Sequence, residues 1–552
     1  MYSDKENINI LTALLLAHGV RHAVVCPGSR NAPITHNLCE AREMTCVSVT
    51  DERSAAFVAL GKAQALGEPV VVCVTSGSAL VNTLPAVVEA WYQHVPIIVV
   101  SADRPAAMIG QLQGQTMPQQ KTLEAFWAKE VSLPEPHDDV ERWYCNRLVN
   151  EALCAMKQFG GGPVHINVPI SEPLFNFTTA ELPTERRVSL MDNHLWPSEL
   201  TEEFLVSSRP MLVVGQLQCT VARRVSGAIR RLEESVVVLS EQLATCGNAP
   251  CHFDEALIGI GEQEAYKPDY IIYIGDTLVS KRAKHFLQHC HPKSCVVVNA
   301  SGELTDVTMN VTDVVVCPVE DALDSLCEKL ESGDVALGNE ASAFRGRWAM
   351  ALDKWAIRCK VFEPAYSQMM AVRRLCEQTN GQECHMQFAN SSAVRLGQLY
   401  SSHHLYVNRG VNGIEGSLST AVGFASEKDV TVYCVIGDLS FFYDQNALWN
   451  GVGKRHLRMV VLNNGGGGIF HQLRGLEQSP YRDSFVSATH TASAKGVCEA
   501  TGVAYKAASN EEELAEGISW ITRGQATGPL LLEVFTNAEI DAQEYKKYLE
   551  TK

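Results

Sequence analysis

Short runs that are apolar at nearly every position, rather than at alternate ones, recur along this chain and constrain what it can fold into. They occupy 23–26, 45–49, 69–75 and 96–101 in the first third, and 211–214, 236–239, 270–274 and 295–298 in the middle. Two more, 430–436 and 459–462, lie in the last third. A strand that is apolar on both faces is buried on both faces. That is the signature of a parallel sheet covered by helices, an α/β architecture. Helix-like stretches between the runs, such as 54–66, supply the cover. Ligands of such sheets sit outside the carboxyl ends of the strands, so the residues that follow each run carry the functional information.

At 552 residues the chain is too long for one core, and about three domains of ~150–200 residues are expected. The strand–helix pattern weakens at 176–209, rich in Pro, Thr, Glu and Ser, and again in the Gly- and Glu-rich 331–342. The net charge of −17 argues against nucleic-acid binding, which needs clustered Lys and Arg. No apolar run reaches the ~20 residues of a membrane helix. The N-terminus lacks a basic leader segment, so 10–16 reads as a first helix and a cytoplasmic protein is expected. Eighteen cysteines with no Cys-x-x-Cys read as reduced thiols, and Cys26, Cys73 and Cys434 as small buried hydrophobes. The cluster His285, His289, Cys290, His291 and Cys295 matches no common zinc spacing. Gly259 and Gly261 lack the third glycine of a dinucleotide fingerprint, because Glu264 stands in its place.

Two run ends stand out. Gly437-Asp438-Leu439-Ser440 follows 430–436, and Asn463-Asn464-Gly465-Gly466 follows 459–462. A carboxylate (Asp438) and an amide (Asn464) at neighbouring strand ends form an oxygen set of the kind Mg²⁺ takes when it also holds phosphate. The Gly466 carbonyl can be a third ligand. Residues 437–440, read as opening a helix at 441–449, add backbone N–H groups for an anion. Each segment alone reads as a turn; together, on consecutive strands, they resemble the Mg-diphosphate motif of thiamine-diphosphate (ThDP) enzymes. Such a cofactor also needs a carboxylic acid at its aminopyrimidine end, buried enough to hold a proton. Glu52, at a strand end and a helix start, is the candidate. Its competing role is to favour that helix N-terminus together with Asp51.

On these motifs the chain resembles the ThDP superfamily of 2-oxo-acid decarboxylases and synthases over nearly its whole length. The resemblance narrows at Cys-Pro-Gly-Ser-Arg-Asn-Ala-Pro (26–33), Asp-Glu-Arg-Ser-Ala-Ala-Phe (51–57), Ser-Ala-Asp-Arg-Pro (101–105), Asn-Arg-Gly-Val-Asn-Gly-Ile-Glu-Gly (408–416) and Gly-Asp-Leu-Ser (437–440). These look like the carboligating synthases of menaquinone biosynthesis. Leu439 followed by Ser440 is typical of that branch, where many ThDP enzymes carry a third glycine.

The resemblance implies three domains, each a mainly parallel sheet flanked by helices. They are a pyrimidine-binding domain (1–180), a middle domain (181–345) and a diphosphate-binding domain (346–552). It also implies a transferase that decarboxylates 2-oxoglutarate and adds the succinyl carbanion to isochorismate in a Stetter-like 1,4-addition. The cofactors would be ThDP and Mg²⁺ or Mn²⁺. Both substrates are dianions, so cationic side chains are expected, arginine above all. By the family pattern Glu52, Ser29, Arg30, Gln115, Ser391 and Arg395 are catalytic. Arg104, Lys281, Arg282 and Arg409 bind substrate, and Ile469, Phe470 and Leu473 form an apolar wall. Ile414, Gly437, Leu439, Ser440 and Phe470 hold the cofactor, with metal ligands Asp438, Asn464 and Gly466. The Gly465–Gly468 run departs from the family, which often places Asn and Gln there. The two halves of the site are expected to come from different chains of a homodimer or homotetramer. A relative of acetohydroxyacid synthase or oxalyl-CoA decarboxylase would instead bring a nucleotide to the middle domain, and a non-catalytic member would have lost Glu52 or the metal pair.

Overall fold

The computed structural model describes every residue except 123, 158–160, 189–194, 303–304, 334–336, 473–474, 524–526 and 551–552. The chain divides into two compact units. The first comprises Met1–Asp192, Asn408–Asp429 and Tyr443–Leu457; the second comprises Asn193–Val407, Val430–Phe442 and Arg458–Lys552. The first unit therefore takes in two segments of the last third.

In the first unit, β1 (His22–Val25), β2 (Thr45–Ser48), β3 (Val70–Val74), β4 (Ile97–Asp103), β5 (Lys129–Ser132) and β6 (Val164–Pro169) form one sheet. Its order is β2-β1-β3-β4-β6-β5 and every pairing is parallel. β3 and β4 are buried at every residue, as runs apolar on both faces require. The second unit holds two sheets. β7 (Pro210–Val214), β8 (Val237–Ser240), β9 (Tyr270–Ile274), β10 (Ser294–Asn299) and β11 (Asp313–Val316) pair in the order β11-β10-β9-β7-β8. β12 (His385–Phe388), β13 (Leu405–Tyr406), β14 (Val432–Gly437), β15 (Leu457–Asn463), β16 (Ala504–Ala508) and β17 (Leu530–Phe535) pair as β13-β12-β14-β15-β17-β16. Counted from the first strand of each, the outer two sheets share one strand order. Ten strands fall within one or two residues of the apolar runs, while β5, β6, β11, β12, β13, β16 and β17 match none of them. Gly259 and Gly261 lie in and just after the helix Phe253–Ile260, not in a strand-to-helix turn.

The helix Glu52–Leu66 carries a candidate residue at its first position. Asp51 caps it, accepting from the N–H groups of Arg53 (2.9 Å) and Ser54 (3.3 Å), and Gly67, at φ +71°, ends it. Its most intimate neighbour in the first unit is the helix Ser417–Ala425. A Cβ on Gly61 would sit 2.0 Å from the Thr420 carbonyl oxygen, and one on Gly423 would sit 2.1 Å from that of Val58. The two backbones touch through these glycines, which sets where Glu52 stands. Two buried polar groups anchor the ends of the helix Ser417–Ala425. Lys62 pairs with Glu427 and donates to Ser426 Oγ at 3.2 Å. Asp444 accepts from Ser419 N (2.6 Å) and Oγ (2.7 Å), in the first turn of the second helix.

Gly61→Ala has no room to relax, since the obstacle is backbone. We expect it to destabilise the first unit by about 3 kcal/mol, read from urea unfolding. Gly227→Ala, in the helix Cys219–Glu233 with open space around its Cβ, is the control and should be neutral or slightly stabilising.

Burial pushes the Asp444 carboxyl up to about 6, against the two Ser419 hydrogen bonds and the charge of Arg53. Its folded form holds a proton more tightly than its unfolded form. The associated stability is complete below about pH 4 and is lost as pH rises through 6. The difference in unfolding free energy between the parent and Asp444→Asn should therefore move by about 3 kcal/mol against the parent between pH 4 and pH 7. A pH-independent difference would contradict this.

Candidate active site

In the second unit, β14 passes straight into the helix Asp438–Tyr443, so the helix expected at 441–449 begins three residues earlier and is short. Asp444 interrupts it, with non-helical φ of −117° and its side chain drawn to Ser419. Asp438 is only 3% exposed. A carboxylate so placed must be satisfied. Its Oδ1 accepts from Leu439 N at 2.7 Å, and its Oδ2 from Gly465 N at 2.9 Å and Gly466 N at 3.0 Å. His490 Nε2 stands 3.4 Å from the same oxygen. Burial raises the Asp438 pKa, while these backbone bonds and His490 pull it down.

The loop after β15 is shaped to meet that carboxylate. Gly466 has φ +152°, and a Cβ there would lie 2.7 Å from the Ser487 carbonyl oxygen. Gly467 N donates to that oxygen at 2.6 Å, and His490 N to Gly465 O at 2.9 Å. Asn464 Nδ2 donates to Asp541 Oδ2 at 2.9 Å, which assigns the nitrogen end of the amide and leaves its oxygen as a ligand atom. The Gly466 carbonyl accepts from Gly468 N at 2.9 Å and keeps a second lone pair. The carboxylate, amide and carbonyl oxygens expected from the sequence thus sit at the ends of adjacent strands, a donor set that fits Mg²⁺ or Mn²⁺.

A cavity of about 950 Å³ opens in the same unit. Lys281, Arg282, Arg395 and Ile469 line it, together with Asp254 and His471. Lys281 begins the helix Lys281–Gln288, capped by Ser280 Oγ on Ala283 N at 2.9 Å. Glu241 fixes the preceding turn by accepting from Val279 N (2.6 Å) and Ser280 N (2.9 Å). Arg282 is already paired with Asp254, whose pKa burial raises and Arg282 opposes. Arg395, on the helix Ser392–Tyr400, also lines a recess of about 20 Å³ with Asn464 and Asp541, so one guanidinium joins the cavity to the metal end. Ser391, just before that helix, has φ +73° and ψ −127°, a strained conformation for a side-chain-bearing residue. Phe470 follows Ile469 on the 3₁₀ turn Gly468–Gln472. Leu439 and Ser440 lie in the first turn of the Asp438 helix, next to Gly437. Leu473 lies outside the described residues.

The first unit holds the remaining candidates. Arg30 is buried and donates to Ile170 O (3.0 Å) and Glu172 Oε1 (3.1 Å). Arg104 Nη1 stands 3.9 Å from that same Glu172 oxygen, and its Nε donates to Gly114 O at 3.3 Å. The two arginines therefore converge on one carboxylate, which is itself largely exposed. Ser29 is exposed beyond β1, and Gln115 is exposed with φ +54°, its backbone against Gly77. Glu52 is half-buried, and its Oε2 accepts from Asn82 Nδ2 at 3.2 Å. Arg409 and Ile414 lie in the segment Asn408–Asp429, and Ile414 is 46% exposed. The buried Glu89 carboxylate pins this segment, accepting from Gly410 N (2.8 Å) and Val411 N (2.9 Å). Desolvation raises the Glu89 pKa.

Sequence reasoning missed Glu172, Asp541, Asp254 and Glu89. Glu172 could have been found, since it follows β6 as Glu52 follows β2. The other three stand on helices, where only tertiary packing reveals the partner.

Two family models match the chain. The thiamine pyrophosphate enzyme N-terminal TPP binding domain covers residues 8–124, and the C-terminal TPP binding domain covers residues 389–534. Among curated proteins, the 2-succinyl-5-enolpyruvyl-6-hydroxy-3-cyclohexene-1-carboxylate synthases of Bacteroides thetaiotaomicron and Bacteroides fragilis are each 42% identical, over 99% of both chains. The enzyme of that name from Desulfotalea psychrophila is 35% identical over 97% of this chain and 98% of its own. The chain belongs to the 2-succinyl-5-enolpyruvyl-6-hydroxy-3-cyclohexene-1-carboxylate synthase family of thiamine pyrophosphate enzymes.

Proposed function

We propose that the protein decarboxylates 2-oxoglutarate and adds the resulting four-carbon unit to isochorismate, forming 2-succinyl-5-enolpyruvyl-6-hydroxy-3-cyclohexene-1-carboxylate for menaquinone biosynthesis. The observation that carries the reading is the desolvated Asp438 carboxylate beside Asn464, joined through Arg395 to a large cavity whose lining of both charges includes Lys281 and Arg282. Asp438, Asn464 and the Gly466 carbonyl would hold Mg²⁺ or Mn²⁺ on the diphosphate of ThDP, and Glu52 would face the aminopyrimidine. When bound, ThDP supplies a nucleophilic carbon and an electron sink.

The chain's own residues do the rest. Glu52 holds and passes a proton at the pyrimidine ring, which requires a drier setting than its half-buried position in one chain. Lys281, Arg282, Arg395 and Arg409 bind the carboxylates of the substrates. Arg30 and Arg104, already gathered on Glu172, are disposed to hold another carboxylate. Ser29, Gln115 and Ser391 orient substrate by hydrogen bonds. Ile469 and Phe470 exclude water, and Ile414 supports the cofactor ring. The division 1–180, 181–345 and 346–552 would correspond to pyrimidine, middle and diphosphate domains. No helix among the described residues is long and apolar enough to cross a membrane, which is compatible with a cytoplasmic enzyme.

We propose further that each site is completed by a second chain, in a homodimer or homotetramer, with Glu52 of one subunit serving the metal end of another. The direct test of function mixes the protein with isochorismate, 2-oxoglutarate, ThDP and Mg²⁺ and follows isochorismate loss, each component being omitted in turn. Loss should require all four; consumption without 2-oxoglutarate or ThDP would refute the assignment. Glu52→Gln should abolish turnover with the fold intact, and Arg395→Ala should raise KM for substrate far more than it weakens ThDP binding. Unfolding and reassembling Glu52→Gln with Asp438→Ala chains should restore about a quarter of full activity, since half the dimers are hybrids with one intact site. No restoration would mean that both groups come from one chain.

A further inference from the structure

Cys219, Cys246 and His404 come together in the second unit, and none of them lines the cavity described above. One ligand atom from each lies within 4.8 Å of the other two, the only such cluster among the described residues. We propose that these three side chains form a zinc site that clips the sheet of β7–β11 to the sheet of β12–β17.

Ligands 2.0–2.3 Å from a tetrahedral zinc ion lie about 3.5–4 Å from one another, so small side-chain rotations suffice to close this cluster. Two thiolates and an imidazole are a donor set that favours zinc over the hard cations of the diphosphate end. The imidazole is prepared for the role. His404 is buried, desolvation lowers its pKa, and Nδ1–H donates to Thr245 O at 3.2 Å. That bond leaves the lone pair on Nε2, the arrangement typical of metal-bound histidine. The sulfurs also have outer partners. Tyr406 donates its hydroxyl to Cys219 Sγ at 2.7 Å, and Arg223 stands beside both sulfurs. The Cys219 thiol is drawn down to about 5, first by the hydrogen bond from Cys246 and then by the charges of His404 and Arg223 and the Tyr406 bond, with burial opposing them. The Cys246 thiol is raised. Zinc would form two bonds to thiolate sulfur and one to nitrogen, release to solvent any proton still on the sulfurs, and take water as its fourth ligand.

The position explains what zinc would do. Cys219 begins the helix after β7, Cys246 follows β8, and His404 precedes β13. The same junction is stitched by hydrogen bonds, from Leu405 N to Gln242 O at 2.8 Å and from Gln216 Nε2 to Val407 O at 3.3 Å. A metal bond across it would tighten the strand that leads toward Arg409.

The test uses full-length, untagged protein stripped by chelator and titrated with Zn²⁺ against a chromophoric competitor. We expect about one tightly held ion per chain and a higher Tm. Affinity should fall by ~100-fold or more in Cys246→Ser and in His404→Gln, and stay unchanged in Asp438→Ala. Independently of any variant, Zn²⁺ should protect Cys219 and Cys246 of the parent protein from alkylation. Zinc binding that persists in a Cys219→Ser, Cys246→Ser double variant would overturn the proposal. So would a Cys219–Cys246 disulfide in fresh protein whose reduced form takes up no zinc.

Discussion

A parallel sheet leaves no face for water, and the rest of this molecule follows from that. Each connection must cross over, so helices cover both faces, and a strand such as β3 is apolar throughout. The polar side chains nearest to where ligands of such a sheet sit are those at the strand ends, where the chain leaves the sheet. Arg30, Glu52 and Arg104 stand just beyond β1, β2 and β4; Asp438 and Asn464 stand just beyond β14 and β15.

The most demanding of these positions is Asp438. Its carboxylate is almost wholly removed from water, and three backbone N–H groups satisfy it at the cost of constraining the loop that supplies two of them. Gly465 and Gly466 adopt conformations that suit glycine so that their N–H groups can point at it. The loop is held from outside by the segment around Ser487 and His490, and Asn464 is oriented by Asp541. These bonds fix the loop around the carboxylate, and fixed groups are what precise placement of a diphosphate requires.

Much of this was legible in the residues. Apolar runs located ten of the strands within a residue or two, while edge strands such as β5, β11 and β16, less evenly apolar, were not picked out. Asp438 and Asn464 could be picked out as neighbours because each directly follows an apolar run, whereas Lys281, Arg282 and Arg395, on helices, came only from the family resemblance. Three features were not legible. The helix after β14 starts at Asp438 because the strand runs directly into it, and it stops early because Asp444 is pulled to Ser419, a partner more than 20 residues distant in sequence. The segment Asn408–Asp429 belongs with the first unit because glycines on two distant helices let their backbones touch, which no local pattern announces. The zinc-type cluster was hidden for the same reason: Cys219 and His404 are separated by most of a domain, while the neighbouring His285 and His289 only stack, with ring centroids 4.2 Å apart.

The central claim is that a divalent cation on Asp438 and Asn464 holds the diphosphate of ThDP. Calorimetric titration of ThDP into the protein, with and without Mg²⁺ and with Asp438→Ala alongside, tests it most directly. The account predicts tight binding only when both the cation and the carboxylate are present. Equal affinity in the absence of either would contradict it.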